Sequence, residues 1–475
     1  MERGTWSETN KPSLPGFYNR FKTVAQNTIA VGAYGTLAIP VKANWGPAKE
    51  VTKITSEPLL ASTFGNDTNY TAYKLGLLAL LGSPKELLIY RVTDGSEAIA
   101  SITLKNADAS PSDLLILETK YPTKRDFNVT TKTNLTDSTQ KDIVLYEGTT
   151  QIIEFKGLPG DIDAMVSAIN SNLNNDYLVA KKVANATGTL ASVANVKFTG
   201  GNDGCTAITN ENYLDAMSAF EKYKIDGFVF DGITDESLQN SAITWGETLN
   251  ENGADVFIFL GGDGTGDNAI ETANERSKSF DNEYVINVGS DGIYNGVIYT
   301  PAEAAVYVAG LAMGLGIQES LCNRVTIFEN TNTKLSRDDK KTCLDAGTLI
   351  FSVDDDNVVI VDDKNTFTSY TDEKNETLGY FRAVRFISIV NQDTALEGDP
   401  YVGKIINDDT GKVAIISALK QYFEELNNER IIDKGFIVEI DSDLQAKAKN
   451  DEVFWKWSAT YLNVMKKIYG TGYVS

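Results

Sequence analysis

The chain contains no histidine. That removes the commonest general base, the usual zinc ligand and the simplest switch near neutral pH. Cysteine is scarce. Cys205, Cys322 and Cys343 are odd in number and far apart, which fits buried thiols in a reducing compartment better than a disulfide frame. Positive charge is also in short supply: 43 Lys and Arg stand against 65 Asp and Glu, a formal net charge of −22. Such a surface repels phosphate backbones, so no nucleic-acid partner is expected. No apolar run is long enough to span a bilayer. The longest, Ala302–Ile317, contains Glu303 and carries Gly310, Gly314 and Gly316, so no membrane insertion is expected. Residues 1–10 are polar and lack the apolar core of a signal peptide. No short-period repeat and no low-complexity tract is visible.

At 475 residues the chain exceeds a single core, and about two to four domains are expected. Forty-two per cent hydrophobic and 10% aromatic residues suffice for well-packed domains. Residues 1–20 are polar, with Pro12, Pro15 and Gly16, and read as an extended arm. Thr28–Ile39 alternates as a strand, Tyr70–Leu81 is helical, and Glu86–Val92 is a strand. Residues 97–197 change character. Short alternating stretches rich in Thr, Ser and Asn, with one helix at Ile162–Leu173, predict a β-rich inserted domain.

After Gly204 strands and helices alternate. Gly227–Phe230, Asp255–Leu260 and Tyr284–Val288 read as strands. Glu236–Leu249, Asn268–Phe280 and Pro301–Ile317 read as helices, which predicts an α/β layer over a parallel sheet. Thr300-Pro301-Ala302-Glu303 is a capping box with proline at the first helical position. From Lys340 an α+β unit is expected, with helices at Lys340–Ala346, Leu378–Val390 and Lys412–Asn428. In the last of these, Ile415, Ile416, Leu419, Phe423 and Leu426 share a face. Ile437–Ile440 and the alternating segment Trp455–Val474 read as strands. The fold class is therefore a multidomain α/β and α+β protein.

Several motifs carry possible chemistry. Phe257–Leu260 followed by Gly261-Gly262-Asp263-Gly264-Thr265 is similar to the nucleotide site of NAD kinases and diacylglycerol kinases. Glycines let backbone amides approach phosphates, and a helix start favours anions. The plainer reading is a glycine-rich turn between a buried strand and a helix. No second kinase motif accompanies it, and Asp267 would repel phosphate. Asp354-Asp355-Asp356-Asn357 lacks the central glycine and terminal glutamate of a calcium loop and reads as a β-turn. Asp408-Asp409 stand at a helix start, where they complement the macrodipole. Nothing near Lys404 would desolvate it into a nucleophile. Phe454, Trp455, Trp457 and Tyr461 read as core. The β-prone end, with Tyr469, reads as a strand seeking an acceptor outside its own domain.

One ordered set of motifs runs through most of the chain. It comprises Pro15-Gly16-Phe17-Tyr18, Gly46-Pro47, Val51-Thr52-Lys53-Ile54-Thr55-Ser56, Phe64-Gly65 and Phe198-Thr199-Gly200-Gly201-Asn202-Asp203-Gly204. It continues with Asp362-Asp363-Lys364-Asn365-Thr366-Phe367-Thr368, which reads as a strand start. Tyr401-Val402-Gly403-Lys404-Ile405-Ile406-Asn407-Asp408 and Met465-Lys466-Lys467-Ile468-Tyr469 complete it. This order resembles the contractile phage tail sheath family, found also in phage-tail-like particles. Residues 97–197 match that family poorly, as a variable insertion would.

The resemblance implies an N-terminal arm at 1–20, a discontinuous α/β core at 21–96 and 198–339, and an outward-facing insertion at 97–197. It implies an inner α+β domain at 340–465 and a C-terminal arm at 466–475. Subunit contacts are then expected from Pro15, Gly16, Phe17, Tyr18 and Phe21, and from Lys467, Ile468, Tyr469, Tyr473 and Val474. A tube-facing role falls on Lys412, Lys420, Glu424, Glu425 and Asn428. The implied partners are further copies in stacked six-membered discs, an inner tail tube, and baseplate and tail terminator proteins. No cofactor, metal or catalytic residue is implied. The implied location is a virion tail or a tail-like particle assembled in the bacterial host cytoplasm. Two other readings stay open: a kinase using residues 261–265, and a self-assembling capsid or surface-layer protein that does not contract.

Overall fold

The computed structural model describes residues 2–4, 16–18, 35–267 and 269–474. The chain forms two compact units, a larger one (33–392 and 463–475) and a smaller one (1–32 and 393–462). In the smaller unit β1 (Glu2–Gly4) and β2 (Gly16–Tyr18) pair in parallel. Pro15 and Phe21, expected in the N-terminal arm, lie outside the described residues, as does the part of the predicted Thr28–Ile39 strand before Gly35.

The larger unit opens with β3 (Thr36–Val41), β4 (Val51–Ile54), α1 (Glu57–Phe64), α2 (Thr71–Leu81) and β5 (Glu86–Arg91). An insertion follows, built from β6 (Ile99–Lys105), β7 (Asp113–Pro122), β8 (Phe127–Thr133), β9 (Lys141–Glu147), β10 (Thr150–Leu158), α3 (Ile162–Asn170), β11 (Leu178–Lys182) and β12 (Val193–Lys197). Its strands form two sheets, ordered β10-β9-β8-β12 and β11-β7-β6. Between them lie Leu115, Leu117, Val129, Ile143, Leu145 and Phe155, with Ile162, Met165 and Ile169 of α3 closing the core. Alternating apolar residues on each strand make this sandwich, because one face of each sheet meets the other.

The α/β part then resumes with α4 (Asn210–Phe220), β13 (Gly227–Val229), α5 (Glu236–Glu251), β14 (Phe257–Gly261), α6 (Ala269–Phe280) and β15 (Val285–Val288). After the hairpin β16 (Gly292–Tyr294) and β17 (Val297–Tyr299) come α7 (Pro301–Gly314), α8 (Arg337–Asp345), β18 (Thr348–Leu349), β19 (Phe351–Asp354) and β20 (Asn357–Ile360). One seven-stranded sheet runs β18-β15-β14-β13-β3-β5-β4. All its pairings are parallel except that of β4 with β5. Its strands are apolar on both faces because both faces are covered. Leu37, Ile39, Phe257 and Phe259 face α1, α2 and α7, while Ala38, Ile258 and Leu260 face α4 and α5.

Helix α7 is the buried soluble helix expected from its sequence. Thr300 Oγ1 accepts from the Glu303 N–H (3.3 Å), and a Glu303 carboxylate oxygen accepts from the Thr300 N–H (3.2 Å). Gly310 lets α7 touch α2: a Cβ there would lie 2.2 Å from the Ala79 carbonyl oxygen. No helix among the described residues is long and apolar enough to cross a membrane. The Asp354–Asn357 segment is the expected turn, joining β19 to β20, with Asp355 at φ 50°.

Four expectations change. The strand start at Asn365–Thr368 is irregular backbone with one bridge from Lys364 to Tyr380. Its polar side chains are used for anchoring instead: Asn365 donates to the carbonyls of Glu283 (2.9 Å) and Leu378 (2.6 Å). The helix expected over Leu378–Val390 is α9 (Phe381–Gly398), preceded by a short 3-10 turn at Glu376–Gly379. Residues of α9 from Asp393 on belong to the smaller unit. The boundary expected at residue 340 precedes β18, which completes the large sheet, whereas the units divide between Gln392 and Asp393. The smaller unit continues with α10 (Asp409–Asn428), β21 (Ile437–Ile440), α11 (Ser442–Gln445) and β22 (Trp455–Ser458). Strand β22 pairs with β21 and then stops, so the predicted strand over Trp455–Val474 is confined to its first residues. Beyond Ser458 the Tyr461–Ile432 bridge is the only further pairing among the described residues, because β-prone residues form a strand only where a ladder partner exists.

Candidate assembly surfaces

The glycine-rich loop after β14 is filled by protein groups. A Cβ on Gly261 would lie 2.4 Å from the backbone of Pro301, and one on Gly262 would lie 2.7 Å from the Arg276 guanidinium. These glycines therefore admit the start of α7 and a half-buried arginine. Arg276 Nε donates to Asn287 Oδ1 (3.0 Å), and burial pushes its pKa below the usual arginine range. Behind the loop lies the buried carboxylate of Asp291. It accepts from Thr333 Oγ1 (2.7 Å), Asn332 Nδ2 (2.8 Å) and the Gly266 N–H (3.3 Å). A loop amide is thus committed to a carboxylate, which would repel a phosphate.

Open doubly wound sheets bind ligands where strand order reverses, beyond the carboxyl ends of the strands. Here that point lies between β3 and β13. Asp231 fills it. One carboxylate oxygen accepts from Thr71 Oγ1 (2.5 Å), at the start of α2, and the other from the Tyr213 hydroxyl (2.8 Å). Thr71 Oγ1 itself accepts from the Lys42 N–H (2.8 Å). Burial pushes the Asp231 pKa up, with Lys42 opposing. Among the described residues no group of His, Cys, Asp and Glu could hold a metal ion.

The C-terminal tail divides sharply at Lys466. Ile468, Tyr469 and Tyr473 are 83%, 88% and 95% exposed; Val474 and Lys467 are exposed too. Lys466 is the opposite. Its ammonium is held by Asp362 Oδ1 (2.6 Å) and Asp363 Oδ1 and lies 4.0 Å from the centre of the Tyr380 ring. Burial opposes the Lys466 charge, but Asp363 and Asp362 outweigh it and hold its pKa above the usual lysine range. Burial also works against ionisation of Asp362, and Lys466 overcomes it, so that carboxyl sits below its ordinary range. One further bond, Arg382 Nη1 to Asn463 Oδ1 (3.4 Å), holds the tail a few residues earlier.

In the smaller unit, Asp408 caps α10 by accepting from the Gly411 N–H (2.7 Å). The buried face of the helix is Leu419, Tyr422, Phe423 and Leu426, whereas Ile415 and Ile416 are only half-buried. Tyr422 was missed by apolar periodicity because its hydroxyl is polar; it donates to Asp393 (2.8 Å). Phe423 packs on Trp457 (ring centres 5.1 Å apart) and Phe436 (5.8 Å). Of the expected tube-facing residues, Lys420, Glu424 and Asn428 form an exposed stripe at four-residue spacing, and Glu425 is half-buried beside it. Lys412 is separate: it is half-buried and lines a groove of about 340 Å³ with Val402, Ile406, Ile415 and Trp455. On the arm side, Gly16, Phe17 and Tyr18 form β2, in register with Glu2, Arg3 and Gly4.

Sequence reading missed the joint that mounts the sandwich. Arg91, fully buried at the end of β5, donates to the carbonyls of Gly46 (2.7 Å), Pro122 (3.0 Å) and Asp203 (2.9 Å). Burial lowers its pKa. The Asp203 carboxylate takes Lys124 (2.7 Å) and the Tyr70 hydroxyl (2.6 Å). Trp45, from the loop after β3, enters the sandwich core against Tyr121 and Phe127. The insertion is therefore fixed to the α/β part by buried charge and an aromatic plug.

Comparison with known proteins agrees with this architecture. Sequence models of four regions match in order: Tail sheath protein Gp18 domain III N-terminal region (35–92), Phage tail sheath protein beta-sandwich domain (93–203), Phage tail sheath protein central domain (206–366) and Phage tail sheath C-terminal domain (373–475). The chain belongs to the phage tail sheath protein family. It is 26% identical over 467 residues to the phage-like element PBSX protein XkdK of Bacillus subtilis, covering 93% of this chain and 92% of that one. The sheath tail protein of Desulfitobacterium hafniense superposes with TM-score 0.72 at 21% identity, covering 94% of this chain and all of that one. The helical sheath of the anti-feeding prophage in its contracted state superposes with TM-score 0.55 at 10% identity, covering 98% and 100%. At these identities the two structural likenesses bear on the fold.

Proposed function

We propose that this chain is the repeating subunit of a contractile tail sheath and has no catalytic role. Copies stack as six-membered discs around an inner tube, with terminal arms crossing to neighbours. A trigger at the baseplate lets the subunits rotate into a shorter, wider packing, so that the sheath drives the tube into the target envelope. Rotation at bistable interfaces needs no cofactor. The reading places the particle in a virion tail or a tail-like particle, assembled in the host cytoplasm.

The observation that carries the proposal is the tail after Lys466. It holds apolar Ile468, Tyr469, Tyr473 and Val474 in solvent, without a ladder partner among the described residues. Such a segment suits strand addition to another copy, where each new backbone hydrogen bond contributes roughly 0.5–1.5 kcal/mol net. Electron microscopy of the purified protein tests this. Wide tubes are expected, flat lattices would favour a surface layer, and dispersed subunits at all concentrations would refute self-assembly. Truncation after Lys467 should leave the melting temperature nearly unchanged and abolish tubes.

A further inference from the structure

We propose that Lys466 is the positioning residue of the C-terminal arm, a clamp that fixes the point and register at which residues 468–474 leave the larger unit to engage a second copy. The proposal rests on the arm-exchange reading above. A one-residue slip of this irregular segment would place Met465 or Lys467 between the carboxylates, and buried ion pairs are best attested as devices that set register. The clamp draws on three elements distant in sequence. Asp362 and Asp363 follow β20, Tyr380 precedes α9, and Lys466 comes from the tail. Asp363 is fully buried, and its second oxygen accepts from the Arg382 N–H at the start of α9 (3.4 Å). Lys364 lies 4.1 Å from the centre of the same tyrosine ring. With Arg382 holding Asn463, the tail is fixed on both sides of Met465, while Ile468, Tyr469, Tyr473 and Val474 beyond it are exposed. A flexible arm loses conformational freedom when captured, and fixing its root removes part of that cost beforehand.

The test uses the full chain with Asp362→Asn/Asp363→Asn, which neutralises the carboxylates without removing volume, and with Lys466→Met as a second route to the same opening. Trypsin reads the clamp directly. In the unaltered protein cleavage is expected after exposed Lys467 and not after the ion-paired Lys466, releasing residues 468–475. Asp362→Asn/Asp363→Asn should release 467–475; Lys466→Met removes that cleavage site, and its opened root is read from tube formation. Tube formation should then require about tenfold more protein or greater, the effect of leaving a few residues to be ordered on capture. Release of 467–475 from unaltered protein would show that the clamp is open and overturn the proposal. An opened root with an unchanged critical concentration would also overturn it, while leaving arm exchange intact. Normal tubes from protein truncated after Lys467 would remove arm exchange itself, and the clamp's role with it.

Discussion

Replacing Arg91 by methionine should loosen the mounting of the sandwich while leaving both cores packed. Methionine fills much of the arginine volume but donates no hydrogen bond. Three carbonyls, on Gly46, Pro122 and Asp203, then lose the guanidinium. An orphaned buried acceptor costs about 1–3 kcal/mol, and partial entry of water places the sum near 4 kcal/mol. Relief from burying a charge offsets some of that, since the guanidinium is already penalised by desolvation. At 1.4 kcal/mol per tenfold, about 4 kcal/mol raises the population of the opened joint by close to a thousandfold. Limited trypsin digestion should therefore cut early at Lys124 and Arg125, which flank the joint, and thermal unfolding of the larger unit should begin roughly 5–10 °C lower. Arg91→Lys should fall between, because one ammonium reaches fewer of three divergent acceptors. A methionine variant with unchanged proteolysis and a shift below about 2 °C would show that the joint is held by Trp45 and the strand crossings alone.

Calorimetry with ATP and NAD should be flat, because Asp231 and Asp291 occupy the places where phosphate would sit; micromolar binding lost in Asp263→Ala would reverse that view. Joining Thr93 to Gly204 removes the sandwich but also two Arg91 acceptors and the cover of Trp45, so that variant should aggregate. Adding Trp45→Ser should restore a soluble protein that forms tubes, and a soluble protein that stays monomeric would place the sandwich in the assembly contacts. Acid should weaken the joint. Asp94 accepts from Ser96 and from the Ala207 N–H, which depress its pKa to about 2. A depressed carboxylate contributes stability above its unfolded pKa and loses it as pH falls through the folded one, so the loss should run from about pH 4 to pH 2, followed by proteolysis with an acid-active enzyme.

The α/β part was legible because its signals are local. Strands buried on both faces read as unbroken apolar runs, and Thr300-Pro301-Ala302-Glu303 marks α7 by side chains that bond within one turn. Asp408 marks α10 in the same way. Misreadings arose where a distant partner decides. Apolar periodicity ends α9 at Val390, yet the helix continues through polar Asn391, Gln392 and Asp393, and Asp393 is held by the Tyr422 hydroxyl. Trp455–Val474 carries β propensity throughout, but among the described residues its ladder partners are β21 for the first residues and Ile432 for Tyr461.

The surfaces that matter for assembly divide along the same line. Exposed apolar residues at a chain end are a compositional fact, so Ile468, Tyr469, Tyr473 and Val474 stand out from the sequence alone. Arg91 does not, because its partners are main-chain carbonyls, which every residue has, contributed by three segments that meet only after folding. Lys466 is harder still. Beside Lys467 it reads as half of a solvated pair, and nothing within the tail separates the two. What separates them is Asp362 and Asp363, about a hundred residues earlier in the chain. Asp363 is fully buried and Asp362 largely so, and an unpaired carboxylate there would be costly. The need belongs to those carboxylates, and the lysine answers it. Lys364, adjacent in sequence, lies 4.1 Å from the centre of the Tyr380 ring, and the ammonium held by the two carboxylates comes instead from the tail. In a protein whose charge is strongly negative, each basic residue withdrawn from the surface needs a structural reason, and here that reason is where the arm begins.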